Sequence, residues 1–366
     1  MEIFNFFVSW VDFFLSTGLQ GETPDTNYTV TTDNVDDDEV RTLLKSINLN
    51  RGAVENIKMF STDGSLKFLF NSKGSIVFIA DDCEVLKFYK DNYNAKLLSD
   101  IEYGAYHDLM HLPNIPMMHG MHVNDDIRFL ALDHCGIDGM EMFNRNLINY
   151  ETWKRAVFDL GECLDDIHAL NRVHGDIKIE NITWDGDQWY FIDFGLGYSG
   201  KGKQGKHKFC GTFPNILPVY GLQGEDDNQV LKLPTFDRRR WSDYYAFALT
   251  MLSLAGVDSP GVDCNPTDYL VKVYVERIYR IATDFHPHGA PWEDVDEDEF
   301  FKILKVLANV VLTQLDHTRK LLIWDPKTRE CKYHGENKVY LECKYSGPKT
   351  MWDSWSNIYK ESGMNI

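Results

Sequence analysis

One stretch of the chain gathers the residue types that phosphoryl transfer requires. It reads His174-Gly175-Asp176-Ile177-Lys178-Ile179-Glu180-Asn181, and Asp193-Phe194-Gly195 follows shortly after. That chemistry needs an oriented hydroxyl nucleophile, cations on the phosphates, and oxygen ligands to hold those cations. Asp176 can accept a hydroxyl proton, and Lys178 can neutralise the group in transfer. Asn181 and Asp193 offer the hard oxygens that magnesium prefers. Each residue alone is common on protein surfaces. The constellation carries the signal.

Positioning these groups takes a loop and a tight hairpin. Ile182-Thr183-Trp184, a turn at Asp185-Gly186, and Trp189-Tyr190-Phe191-Ile192 read as that hairpin, which lets Asn181 and Asp193 converge. Upstream, residues 151–170 place Trp153, Val157, Leu160, Leu164 and Ile167 at three- and four-residue intervals, the stripe of a buried helix. Residues 242–256 and 300–315 read as further core helices. The earlier part of the chain has a different texture. KFLF, SIVFIA and EVLKFYK are short β-rich runs separated by Asn71-Ser72-Lys73-Gly74 and Asp81-Asp82, as an antiparallel meander requires. A helical stretch over 94–111 and the apolar strand Phe129-Leu130-Ala131-Leu132 come next. Before the meander, Val40, Leu43, Leu44 and Ile47 predict a short helix started by Asp38 or a neighbour, behind a polar, acidic linker. The expected fold class is α+β. An extension over 1–50 precedes a small sheet-rich lobe over 51–135 and a larger helical lobe over 136–366.

These motifs in this order resemble the protein kinases, serine/threonine type, from residue 57 to residue 256. The resemblance implies a two-lobed fold, ATP and Mg2+ as cofactors, and transfer to protein hydroxyls. It makes Asp176 the catalytic base, Lys178 its cationic companion, and Asn181 and Asp193 the metal ligands. Lys87, in Glu84-Val85-Leu86-Lys87, matches the strand lysine that binds the α- and β-phosphates, and Glu102 is its implied helix partner. His111-Leu112-Pro113-Asn114-Ile115 resembles the loop after that helix. Leu132-Asp133-His134-Cys135 falls where the hinge should be, with backbone groups near Asp133 and Cys135 reading the adenine edge. Gly211-Thr212 resembles the end of an activation segment; with Lys178 it points to serine or threonine substrates. Asp243, in Ser242-Asp243-Tyr244-Tyr245, matches the aspartate that braces the catalytic loop.

The chain departs from the pattern at identifiable places. Aligned on Val77, the phosphate-covering loop has Phe70, Ser72 and Ser75 where glycines are usual, with only Gly74 nearby, which joins the cofactor-binding candidates. Serine lacks glycine's close backbone approach and its freedom at positive φ. Gly175 stands where arginine is usual, which removes the partner of an activation-loop phosphate, so no switching by phosphorylation there is expected. Pro218-Val219 replaces the usual Pro-Glu. His-Gly-Asp-Ile-Lys and Arg238-Arg239-Arg240 are most similar to the vaccinia-related kinases, near the casein-kinase-one branch. Two other readings stay open: a pseudokinase that keeps the fold as a binding module, and a small-molecule kinase of the aminoglycoside or choline type.

Composition narrows the setting. A net charge of −19 works against general nucleic-acid binding, so no nucleic-acid partner is expected. Seven cysteines, widely spaced and without a Cys-x-x-Cys pair, fit reduced thiols in a cytoplasmic or nuclear compartment. The apolar start MEIFNFFVSWVDFFL is interrupted by Glu2 and Asp12, is too short to span a bilayer, and has no Lys or Arg before Arg41. It is read as docking on the folded body rather than on a membrane. Lys201, Lys203, Lys206, His207 and Lys208 form the strongest basic cluster, which predicts protein substrates that are acidic or already phosphorylated.

Overall fold

The computed structural model describes residues 29–30, 37–49, 65–72, 74–81, 83–90, 93–123, 127–199, 236–257, 290–293, 295–325 and 330–333. The expectations for the apolar start, the basic cluster, Gly211-Thr212 and Pro218-Val219 lie outside them. The described residues fall into two compact units, one up to Gly136 together with Asp193–Gly197, the other Ile137–Ile192 with the residues from Tyr198 onward.

Alternating aromatic and β-branched residues, broken by polar turns, set the strands of the first unit. In chain order it contains β1 (Thr29–Val30), helix α1 (Asp38–Lys45), β2 (Leu66–Asn71), β3 (Ser75–Ala80) and β4 (Glu84–Tyr89). Helix α2 (Tyr93–Leu109), β5 (Met118–Val123) and β6 (Arg128–Asp133) complete it. The strands make one antiparallel sheet in the order β1-β2-β3-β4-β6-β5. Phe68 pairs with Phe78 across β2 and β3, and Phe88 pairs with Phe129 across β4 and β6. Their rings run as a ladder over one face, with centroids 6.1, 5.8 and 4.8 Å apart. Val40, Leu44 and Ile47 join that cluster, so α1 covers this face. Neighbouring side chains of a strand point to opposite faces. Lys87, next to Phe88, therefore points to the other face, where it meets α2.

Because Leu44 is 1% exposed within the ladder, Leu44→Ala should cost about 2–5 kcal/mol through lost burial and a residual cavity. Urea unfolding measures this. A loss below about 0.5 kcal/mol, the scale of ordinary surface substitutions, would show that α1 merely rests on the sheet.

The second unit is helical, and the chain is α+β as its pattern predicts. It begins with β7 (Ile137–Asp138), α3 (Gly139–Asn144) and α4 (Tyr150–Ala169), followed by β8 (Arg172–Val173), β9 (Ile182–Trp184), β10 (Trp189–Phe191) and β11 (Tyr198–Ser199). Helices α5 (Phe236–Leu254) and α6 (Glu297–Leu321) and a hairpin of β12 (Leu322–Asp325) and β13 (Glu330–Tyr333) follow. Asn149 and Thr152 close a reciprocal capping box that fixes where α4 starts. The predicted stripe is its buried face, and the Trp153 indole donates to the Met251 carbonyl of α5 at 2.9 Å. Glu299 of α6 accepts from the Tyr150 hydroxyl at 2.6 Å and pairs with Lys154 at 2.7 Å. The predicted hairpin forms with Trp184 opposite Trp189, and Gly186 takes φ +109° in its turn.

The predicted boundary near residue 135 did not anticipate that Asp193–Gly197 group with the sheet unit. Side-chain contacts explain it. Asp193 bonds Lys87, and the Phe194 ring packs edge-on against Tyr106 of α2 at 5.2 Å.

Candidate active site

Strand alternation puts Lys87 and Tyr89 on one face of β4, and both reach Glu102 on α2. The Lys87 ammonium donates to Glu102 Oε1 at 2.8 Å, and the Tyr89 hydroxyl donates to Glu102 Oε2 at 2.6 Å. Lys87 also donates to Asp193 Oδ1 at 2.9 Å. Three residues from separate parts of the sequence thus meet at one ammonium group. Burial on its own would lower the Lys87 pKa. The Asp193 and Glu102 carboxylates more than reverse this and hold it above the ordinary lysine value, so the amine stays charged. Burial pushes the Glu102 carboxyl up, against the pull of Lys87. The phenols of Tyr89 and Tyr106 sit far above their ordinary range, through burial and then through the Glu102 charge, and remain protonated.

Asp193 has φ +62°, a region that non-glycine residues rarely adopt. Several contacts hold it there. Its N–H donates to the Tyr106 hydroxyl at 3.2 Å, and its carboxylate accepts from Lys87 and, at 3.4 Å, from the Gly195 N–H. A Cβ on Gly195 would sit 3.3 Å from Asp193 Oδ1 and 3.5 Å from Glu102 Oε2, so glycine suits this close approach. Strain held by converging bonds is characteristic of functional positions.

In the second unit the catalytic-loop candidates are equally constrained. Buried Asp243 of α5 accepts from the His174 N–H at 2.8 Å and the Gly175 N–H at 2.9 Å. It also lies 3.0 Å from His168 Nε2 of α4. Gly175 takes φ +83°, which gives a physical reason for glycine at this position. Asn181 Nδ2 donates to the Asp176 carbonyl at 2.8 Å and to Asp176 Oδ2 at 3.1 Å; Lys178 Nζ lies 3.3 Å from the same oxygen. The Ile192 N–H donates to the Asn181 carbonyl at 3.0 Å, closing the segment from loop to hairpin. Asp176 and Asn181 are buried, and Lys178 is half-buried.

The remaining candidates lie in the sheet unit. The Asp133 N–H donates to the Met117 carbonyl at 3.0 Å, and the Sγ of buried Cys135 lies 3.7 Å from the Asp133 carbonyl. Gly74 sits in the β2–β3 turn, where its N–H donates to Ser72 Oγ at 3.2 Å. Among the described residues, no group of three or more His, Cys, Asp or Glu side chains could hold a metal by itself. Sequence reasoning missed Tyr89, Tyr106 and His168. Glu102 lies one helical turn before Tyr106, and Lys87 two residues before Tyr89. That spacing was the available signal, but tyrosines on apolar faces read as core.

Removing one hydroxyl tests the Tyr89 contact. Tyr89→Phe should destabilise the protein by up to about 1.5–3 kcal/mol, the worth of a hydrogen bond to a charged group. Urea unfolding of this variant beside Glu102→Gln and the double variant reads the coupling, and strict additivity would contradict it.

No protein-family model matches the chain. Over 139 residues, 35% of this chain, it is 25% identical to a Dictyostelium discoideum protein described as a probable serine/threonine-protein kinase, fnkB. The match spans 24% of that relative's length. Among solved structures it is similar to the kinase PK-1 of Cydia pomonella granulovirus. There the TM-score is 0.45 with 16% identity, over 73% of this chain and 93% of that one. With the motifs, the similarity to the Dictyostelium protein supports a divergent member of the protein-kinase-like superfamily.

Proposed function

We propose that the chain is an ATP- and magnesium-dependent phosphotransferase acting on serine or threonine hydroxyls of proteins. The observation that carries this reading is the Lys87 ammonium gripped at once by Glu102 and Asp193, three positions far apart in the chain. A buried amine kept charged is suited to the α- and β-phosphates of a nucleotide. The donor set also fits the ion. Asp193 keeps 45% of its side chain exposed beside that amine and offers a hard oxygen; Asn181 is the second ligand that the sequence motif suggests. Magnesium takes one or two such protein ligands and completes its shell with phosphate and water. When bound, it would neutralise charge on the phosphates.

The protein's own groups supply the rest. Asp176 accepts the proton of the attacking hydroxyl, and Asn181 orients its carboxylate through Oδ2. Lys178, 3.3 Å from that oxygen, balances charge on the transferred group. Asp243 holds the loop backbone through two N–H groups, so Asp176 meets the substrate without reorganisation. The adenine edge is read near Asp133 and Cys135.

One observation favours a second reading, a pseudokinase that keeps the fold as a binding module: serines replace glycines in the phosphate-covering turn. Phosphoamino-acid analysis after incubation with γ-labelled ATP and a mixed protein substrate separates the possibilities. Label on serine or threonine is expected. Label on tyrosine overturns the substrate class, and folded protein that transfers no label supports the module.

A further inference from the structure

The β2–β3 turn has a device that its departure from glycine conceals. Ser72 Oγ accepts from two backbone donors, the Gly74 N–H at 3.2 Å and the Ser75 N–H at 3.0 Å. It also lies 3.1 Å from Ser75 Oγ, and the Ser72 N–H donates to the Ser75 carbonyl at 2.8 Å. The turn is tied to the end of β4 as well. The Lys90 N–H donates to the Gly74 carbonyl at 2.9 Å. The Lys90 ammonium donates to Asn71 Oδ1 at 2.9 Å and to the Ser72 carbonyl.

Backbone N–H groups of such a turn are what an anion would use. Here two of them point at an oxygen that the chain itself supplies. We propose that the Ser72 hydroxyl occupies the Gly74 and Ser75 amides in place of a phosphate oxygen, making Ser72 an affinity-determining residue that weakens nucleoside triphosphate binding. The inference rests on the nucleotide reading above and adds to it. The phosphates are held by side-chain cations and metal, and the turn amides join only when they displace Ser72. Lys90 is a positioning residue, because its contacts keep the turn closed around that hydroxyl.

Removing the competitor should free both amides. Ser72→Ala is expected to tighten binding of magnesium ATP about threefold to tenfold, the range that one ordinary net hydrogen bond commands. Adenosine, which lacks phosphates, should bind both proteins equally. Ser72→Thr keeps the hydroxyl and should behave as wild type. Hydrogen exchange supplies a readout independent of nucleotide: the Gly74 and Ser75 amides should exchange faster in Ser72→Ala without ligand. Unchanged or weaker ATP binding by Ser72→Ala, or an equal gain for adenosine, overturns the inference while leaving the nucleotide reading intact. Unchanged exchange at both amides also overturns it. If neither wild type nor Ser72→Ala binds ATP, the nucleotide reading falls and takes this inference with it.

Discussion

Lys87→Met is expected to reduce phosphoryl transfer about 10²–10³-fold, the usual cost of losing one preorganised charge on a developing oxyanion. The same substitution should destabilise the fold, because Glu102 is 1% exposed and would lose its cation. Breaking a buried pair by removing one partner costs about 3–5 kcal/mol. The share belonging to Asp193 is smaller, since its side chain is 45% exposed and water screens it. The pH dependence has a definite sign. Burial already raises the Glu102 carboxyl, and loss of Lys87 raises it further. A carboxyl raised in the folded state makes the protein lose stability as pH climbs from its ordinary 4.5 through the raised value. The variant should therefore be relatively more stable in acid, with a steeper decline toward neutrality than wild type. Urea unfolding across pH 4–8 measures this. A pH profile parallel to wild type would mean that Lys87 and Glu102 are not coupled.

Asp176→Asn should lower turnover about 10²–10⁴-fold, the contribution of a positioned general base. Stability should change little. An asparagine oxygen can still accept the Asn181 bond now made at 3.1 Å, and Lys178 is only half-buried near it. Affinity for magnesium ATP should be retained, so the loss appears in kcat. A variant that turned over normally, or that failed only through weaker ATP binding, would remove Asp176 from its role.

What could be read from sequence was what is local. Asp176, Lys178 and Asn181 lie within six consecutive residues, and the chemistry of that spacing is visible without a fold. The meander, the hairpin and the α4 stripe were legible because period-two and period-3.6 patterns are properties of the chain itself. Glu102 was found by being the one glutamate between Lys87 and Glu141, and the structure places it 2.8 Å from the lysine. Tyr89, Tyr106 and His168 escaped because a buried phenol or imidazole shows its role only through space. Their hydroxyls and ring nitrogen act on backbone or carboxylate atoms from other elements. The Ser72 contacts were illegible for a related reason: the sequence shows only serine where glycine is usual, and its hydroxyl meets the Gly74 and Ser75 amides only once the turn is folded. The grouping of Asp193–Gly197 with the sheet unit was illegible too, because it depends on Tyr106 and Lys87, far away in sequence.

The central claim is phosphoryl transfer from ATP, and its most direct test is transfer of labelled γ-phosphate to a mixed protein substrate. Wild type is measured with magnesium and after chelation by EDTA, beside Asp176→Asn with magnesium. Magnesium-dependent labelling by wild type is expected, with loss after chelation and at least about a 10²-fold drop in Asp176→Asn. Equal labelling by wild type and Asp176→Asn, or labelling undiminished by EDTA, would contradict it.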